Sequence, residues 1–350
     1  MKALHKILNI MLSIMLIVTM FSPTSCRKEV VDKRKACVEE TVQVDQAKLL
    51  LEYFEKHGDP VNCDESCLMS TEEVHQSLGK NIYILDLRLN KDYNKSHIEG
   101  AVHMPIKRIY YHFHEVIKPF KYDRIILCCY SGQSASYAAS ILRMLGYDNV
   151  YVMKWGMAAW NPDLANKWAS KVDQELNVPM EQKPNTLDKK HEFPKLNSEF
   201  IFRNEIINSR AKTLLNIGFT SARVNAVKLI KPLDSQCVIA YCSKSDYDKS
   251  HVKGAIHFPI KESFKRETLL SLLPPDKEIL VYSRHGFESA YAVAYLRMLG
   301  YNAKTVLFGM SSFYPPFEDS FGLPEVNKFE LIKQDDNQLD TTPIDEVGGC

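Results

Sequence analysis

Short apolar runs bounded by polar residues alternate along this chain with longer mixed segments. Ile82–Leu87 and Arg124–Cys128 are too short for helices and read as buried strands. Ala135–Leu145 follows as a helix, with Gly146 where a helix C-cap uses positive φ, and Val150–Met153 reads as a third strand. The order then recurs: strands Val238–Tyr241 and Glu278–Tyr282, helix Ser289–Leu299 before Gly300, and strand Lys304–Leu307. Strands alternating with helices predict mainly parallel sheets flanked by helices on both faces, an α/β architecture. A further helix is expected upstream, around Ala47–Lys56.

The recurrence is a duplication. Asp92–Lys107 (DYNKSHIEGAVHMPIK) returns as Asp246–Lys261 (DYDKSHVKGAIHFPIK), identical at eleven of sixteen positions and displaced by 154 residues. The same displacement carries Leu142–Tyr147 onto an identical Leu296–Tyr301. A period this long indicates two copies of a domain rather than a solenoid. The expected organisation is a leader at 1–26, an extension with one helix at 27–68 and a first domain at 69–170. A linker at 171–210, a second domain at 211–325 and a tail at 326–350 follow. Four prolines among charges, Pro162, Pro179, Pro184 and Pro194, mark the linker region.

Composition adds bounds. The 350 residues carry 44 basic and 43 acidic side chains, a balance that argues against a nucleic-acid partner. Lys2 and Lys6 precede a mostly apolar run, Ile7–Phe21, shorter than the roughly 20 residues of a spanning helix. Ser22-Pro-Thr-Ser-Cys26 and the charged Arg27-Lys-Glu29 then resemble a bacterial lipoprotein cleavage site, which implies lipidation at Cys26 and membrane attachment through that lipid. An ordinary signal peptide and an uncleaved anchor are the other readings, and all three place the bulk of the protein outside the cytoplasm. In such a compartment Cys63 and Cys67 are candidates for pairing. No second pair of ligands follows them at zinc spacing, and no metal or cofactor is expected.

Candidate chemistry gathers after the second strand of the first copy. Arg124–Cys128 delivers Cys129 to its carboxyl end, and Tyr130, Ser131, Gly132, Gln133, Ser134 and Ala135 turn the chain into the next helix. Open parallel sheets place ligands there, and successive N–H groups with a helix N-terminus cradle negative charge. A cysteine in that position is expected to carry thiolate character. By alternation Cys128 points into the core and Cys129 opens onto the loop.

These residues resemble the rhodanese family. Asp86-Leu-Arg88, Tyr93 with His97-Ile-Glu-Gly-Ala101, Pro105, Cys129-Tyr-Ser-Gly132 and Trp155-Gly-Met-Ala-Ala-Trp160 follow its motifs in order, over residues 69–170 and 215–320. The resemblance implies a sulfurtransferase in which Cys129 takes a sulfane sulfur from a small anion such as thiosulfate or a polysulfide. The resulting persulfide passes the sulfur to a thiol or another nucleophile. It assigns Tyr130–Ala135 as the persulfide cradle, with Asp86 and Arg88 as a charge pair beside it.

Two departures stand out. Tyr130 and Ser134 occupy places where many active members carry arginine. In the second copy Ser283 replaces the cysteine, and Ala240 and Cys242 replace Asp86 and Arg88. Ser283, Arg284, His285 and Gly286 therefore read as a degenerate loop in a structural copy. The repeated histidines, His97 with His251 and His103 with His257, are present whether or not the cysteine is, which favours packing or hydrogen bonding over metal ligation. A non-catalytic binding module and a thiol redox protein are the competing classes.

Overall fold

The computed structural model describes residues 45–57, 60–61, 67–172, 176–231, 235–314 and 326–333. Cys26 and Cys63, and with them the expectations of lipidation and of a Cys63–Cys67 pair, lie outside the described residues. Two five-stranded parallel sheets carry the fold. The first comprises β1 (Leu68–Met69), β2 (Ile82–Asp86), β3 (Val102–His103), β4 (Arg124–Cys128) and β5 (Val150–Met153), in the spatial order β1-β5-β4-β2-β3. A two-stranded antiparallel pair joins β6 (Met180–Glu181) to β9 (His251–Val252). The second sheet, ordered β10-β8-β11-β12-β7, uses β7 (Arg223–Val224), β8 (Gln236–Tyr241), β10 (Ile256–Phe258), β11 (Glu278–Tyr282) and β12 (Ala303–Val306). Read from its β7 end, the second order matches the first strand for strand, as a duplication requires.

Helices cover both faces. They are α1 (Gln46–Lys56), α2 (Thr71–His75), α3 (Asn90–Lys95), α4 (Gln133–Met144), α5 (Asn166–Val172), α6 (Arg203–Ile217), α7 (Lys244–Lys249) and α8 (Phe287–Met298). The alanine-rich α4 and its repeat α8 pack against each other, because small side chains let two helices approach closely. Helix α6 closes over α1, α4 and α8 with Ile206, Ile207, Ala211, Leu214 and Leu215. One apolar core therefore runs through both repeats, from Leu50 and Phe54 to Tyr295 and Leu299. The carboxyl half of the expected linker is part of that core: α6 begins at Arg203.

The displacement of 154 breaks at both ends of the repeat. It is 155 at the first strand, where Arg223 stands for Leu68, and it shortens again after helices α4 and α8. Ile125 N–H bonds the Asn149 carbonyl and Ile279 N–H bonds that of Asn302, so the displacement falls to 153 after the helix. One residue has been lost between Gly300 and the strand, and β12 is Ala303–Val306 rather than Lys304–Leu307.

Candidate active site

Strand β4 ends at Cys128, which faces the apolar layer of Ile84, Ile126 and Trp160. Burial, with Asp86 adding to it, pushes the Cys128 thiol well up, so it stays protonated. The chain turns at Cys129. Gly132 takes the left-handed conformation (φ +89°) as N-cap of α4, and its N–H donates to Cys129 Sγ at 3.1 Å. Sulfur therefore sits at a helix N-terminus with a backbone donor aimed at it, the arrangement that stabilises a thiolate or a persulfide anion. Cys129 begins the loop as alternation predicts, yet it is only 1% exposed, among the side chains of the main core.

The loop is braced from three sides. Met157 and Ala158 N–H groups donate to the carbonyls of Cys129 (2.8 Å) and Tyr130 (3.0 Å), made possible by Gly156 at φ +57°. Tyr130 turns away from the sulfur: its hydroxyl donates to Asp92 on α3 and accepts from Leu89 N–H. Gln133, fully buried, donates to Ser131 Oγ at 3.1 Å and accepts from Phe308 N–H at 2.8 Å, joining the loop to the second repeat. Ser134 and Ala135 are buried in the first turn of α4.

Asp86 and Arg88 form the expected pair. Arg88 Nη2 meets Asp86 Oδ2 at 2.6 Å and the Ser96 carbonyl at 2.6 Å, and Nε reaches both carboxylate oxygens at 3.0 Å. Both side chains are at most 1% exposed, so the geometry must satisfy the charges fully. In the second repeat Ala240 and Cys242 take these places inside an apolar cluster. The histidines do hydrogen-bond: His97 to the Tyr93 carbonyl, His103 to that of Arg88, His251 to that of Tyr247 and His257 to that of Cys242.

The Ser283 loop has kept its shape. Gly286 (φ +90°) caps α8, and the N–H groups of Gly286 and Ser289 reach Ser283 Oγ at 3.0 and 3.3 Å. Ser283 donates onward to Ser289 Oγ (3.3 Å), which meets Thr305 Oγ1 at 2.7 Å. Arg284, at the place of Tyr130, pairs with Asp246 at 2.8 Å, so the loop position and its acidic partner are paired in both repeats. His285 does not face Ser283 Oγ. Its Nδ1 pairs with Ser311 Oγ at 2.9 Å, and burial, with Lys154 and Arg284 nearby, pushes its pKa down to about 3. A neutral imidazole turned to Ser311 is no base for Ser283.

The two loops face each other. Trp155 lies 4.5 Å from the His285 ring and 4.9 Å edge-on to Phe287, while Trp168 packs on Phe308 at 4.9 Å. Phe287 comes so close to Gly132 that a Cβ there would meet its Cε1 at 3.0 Å. Sequence reasoning missed Asp92, Gln133 as a bridge, and this aromatic layer, since each depends on which residues the fold brings together.

Fold and site thus define a tandem α/β protein with one cysteine-bearing anion loop and one serine-bearing copy. A family model described as Rhodanese-like domain matches residues 70–163 and 225–314, and the chain belongs to that family. The thiosulfate sulfurtransferase GlpE of Shewanella oneidensis is 33% identical over 89 residues, 25% of this chain and 84% of that protein. The putative sulfur carrier protein YrkF of Bacillus subtilis is 27% identical over 119 residues, and the match covers 33% of this chain and 63% of that protein. Among solved structures, the Rhodanese_3-like domain of Anabaena Alr3790 is 32% identical with a TM-score of 0.21, covering 23% of this chain and 88% of that one. The thiosulfate sulfurtransferase of Pseudomonas aeruginosa is 17% identical with a TM-score of 0.28, covering 80% of this chain and 49% of that one. At the level of the family, the matching family model and the two curated relatives support sulfur transfer.

Proposed function

We propose that the protein is a sulfurtransferase whose first domain carries sulfane sulfur on Cys129. The observation behind this reading is the Gly132 N–H aimed at Cys129 Sγ at the N-terminus of α4. The Cys129 thiolate attacks the outer sulfur of thiosulfate, the S–S bond breaks, sulfite leaves with the bonding pair, and Cys129 becomes a persulfide. A thiolate acceptor then attacks the outer sulfur, becomes a persulfide itself, and returns Cys129 as thiolate. Amide donors stabilise the anionic forms without reorganising. Residues 130–135 include no arginine to select an oxyanion, and Tyr130 is engaged with Asp92, which favours polysulfide-type donors over thiosulfate.

In this proposal the chain is an envelope protein held by a lipid on Cys26. No described helix is long and apolar enough to cross a membrane. Intact-mass spectrometry after incubation with thiosulfate or a polysulfide reads both features. The expected result is one added sulfur atom, removed by cyanide and missing in Cys129→Ser, on a chain beginning at lipidated Cys26. No sulfur gain from any donor would sink the catalytic reading.

A further inference from the structure

The second repeat contains a cavity with no counterpart in the chemistry above. It measures about 330 Å³, within the range of small-ligand pockets. It opens at the carboxyl ends of β7 and β12, the edge of a parallel sheet where ligands collect. Its wall includes Arg223, Asn225, Phe308 and Ser312 of the second repeat and Lys171 from α5 of the first. Among the described residues that line it, two are cations and none is a carboxylate.

Arg223 is what makes this cavity unusual. Its Nε is enclosed yet has no hydrogen-bond partner, and no described carboxylate lies within ion-pair distance of it or of Lys171. Enclosing a guanidinium N–H without an acceptor is costly. The sheet registers show what has changed between the repeats. Leu68 pairs with Val152 as Arg223 pairs with Thr305, so Arg223 and Asn225 stand where the first repeat has Leu68 and Ser70. Ser70 caps α2 with a complete capping box. Asn225 begins the helical turn Ala226–Ile230 without a side-chain cap bond. A leucine and an engaged cap in one copy have become an unpaired guanidinium and an uncommitted amide in the other.

We propose that this cavity binds a small dianion, held by Arg223 and Lys171 with Asn225 as a further donor. An arginine fork accommodates a planar dicarboxylate or a tetrahedral oxyanion equally. The site is separate from Cys129 and does not depend on sulfur transfer. It is connected to it, however: Phe308 lines the cavity and its N–H is bonded to Gln133 of the Cys129 loop.

Isothermal titration calorimetry of the full chain in chloride buffer, with sodium sulfate and with sodium succinate, tests the site. The expected result is saturable one-to-one binding of at least one of the two, and which one binds distinguishes tetrahedral from planar ligands. Affinity should fall at least tenfold in Arg223→Leu, which installs the residue of the first repeat, and in Lys171→Gln, at the end of a surface helix. Cys129→Ser should bind as the parent does, whatever its sulfur chemistry. Absence of saturable binding by both anions, or unchanged affinity in Lys171→Gln and Arg223→Leu, overturns the proposal.

Discussion

Gly156 is the residue on which the geometry of Cys129 turns. A Cβ there would stand 2.3 Å from the Cys129 carbonyl oxygen and 2.9 Å from the N–H nitrogens of Ser131 and Gly132. Gly156→Ala is therefore expected to cost more than about 3 kcal/mol, from steric overlap added to left-handed backbone. Gly100, at φ +74° with nothing within 4 Å of its Cβ position, is the control. Gly100→Ala should cost only about 1–2 kcal/mol. Equal losses for the two variants in urea unfolding would refute the close-approach argument. Beside Gly156, Trp155 (φ +66°) holds a conformation that favours glycine, and Phe308 (φ +61°) does the same in the other repeat. Both place an aromatic ring between the domains. Motif spacing was enough to pick out Cys129, Asp86 and Arg88. It was silent on the roles of Asp92 and Trp155, because partners are set by which side chains the fold brings together. Asp92 keeps its spacing in both repeats, yet only the structure shows it holding Tyr130.

At the scale of elements, residues 326–333 do more than a tail would. They return from the second repeat to lie on the first: His97 and Ile332 exchange backbone bonds of 3.0 and 2.9 Å, and Asn327 and Phe329 N–H bond the carbonyls of Ala159 and Trp160. Phe329 stacks on His75 at 3.9 Å and meets Trp160 edge-on at 5.0 Å. The strap thus holds the turn Met157–Trp160, whose N–H groups brace the Cys129 loop. Phe329→Ala is expected to cost about 1–2 kcal/mol and to speed amide exchange at Met157 and Ala158. Unchanged exchange there would separate the strap from the loop. The central strands and helices α1, α4 and α8 followed from apolar runs and the duplication, whereas α6, which begins inside the expected linker, did not. The strap could not, since eight residues with no repeat partner carry no periodic signal.

Across the whole molecule, buried neutral histidines set a pH dependence. His285 is held near pKa 3 by burial, and burial also lowers His103, His112 and His257. A histidine whose folded pKa lies below its unfolded value near 6.5 takes up its proton more readily when unfolded. Its contribution is complete above about pH 6.5 and is lost as pH falls toward the folded value. Melting temperature should therefore drop between pH 7 and pH 4, with His285 alone supplying up to about 1.4 kcal/mol per pH unit. His285→Gln should flatten that slope. A profile as steep as the parent's would show that other groups dominate.

The sequence by itself determined the duplication, the parallel α/β class and the contrast between Cys129 and Ser283, because repeats, strand-length apolar runs and a nucleophile on a strand-end loop are local features. Tertiary structure decided the rest. Only the packing of α4 on α8 makes one core of two repeats and brings the loops face to face. That approach joins Gln133 to Phe308 and accompanies the burial of Cys129. Those outcomes depend on contacts between residues more than a hundred positions apart, which no pattern along the chain encodes.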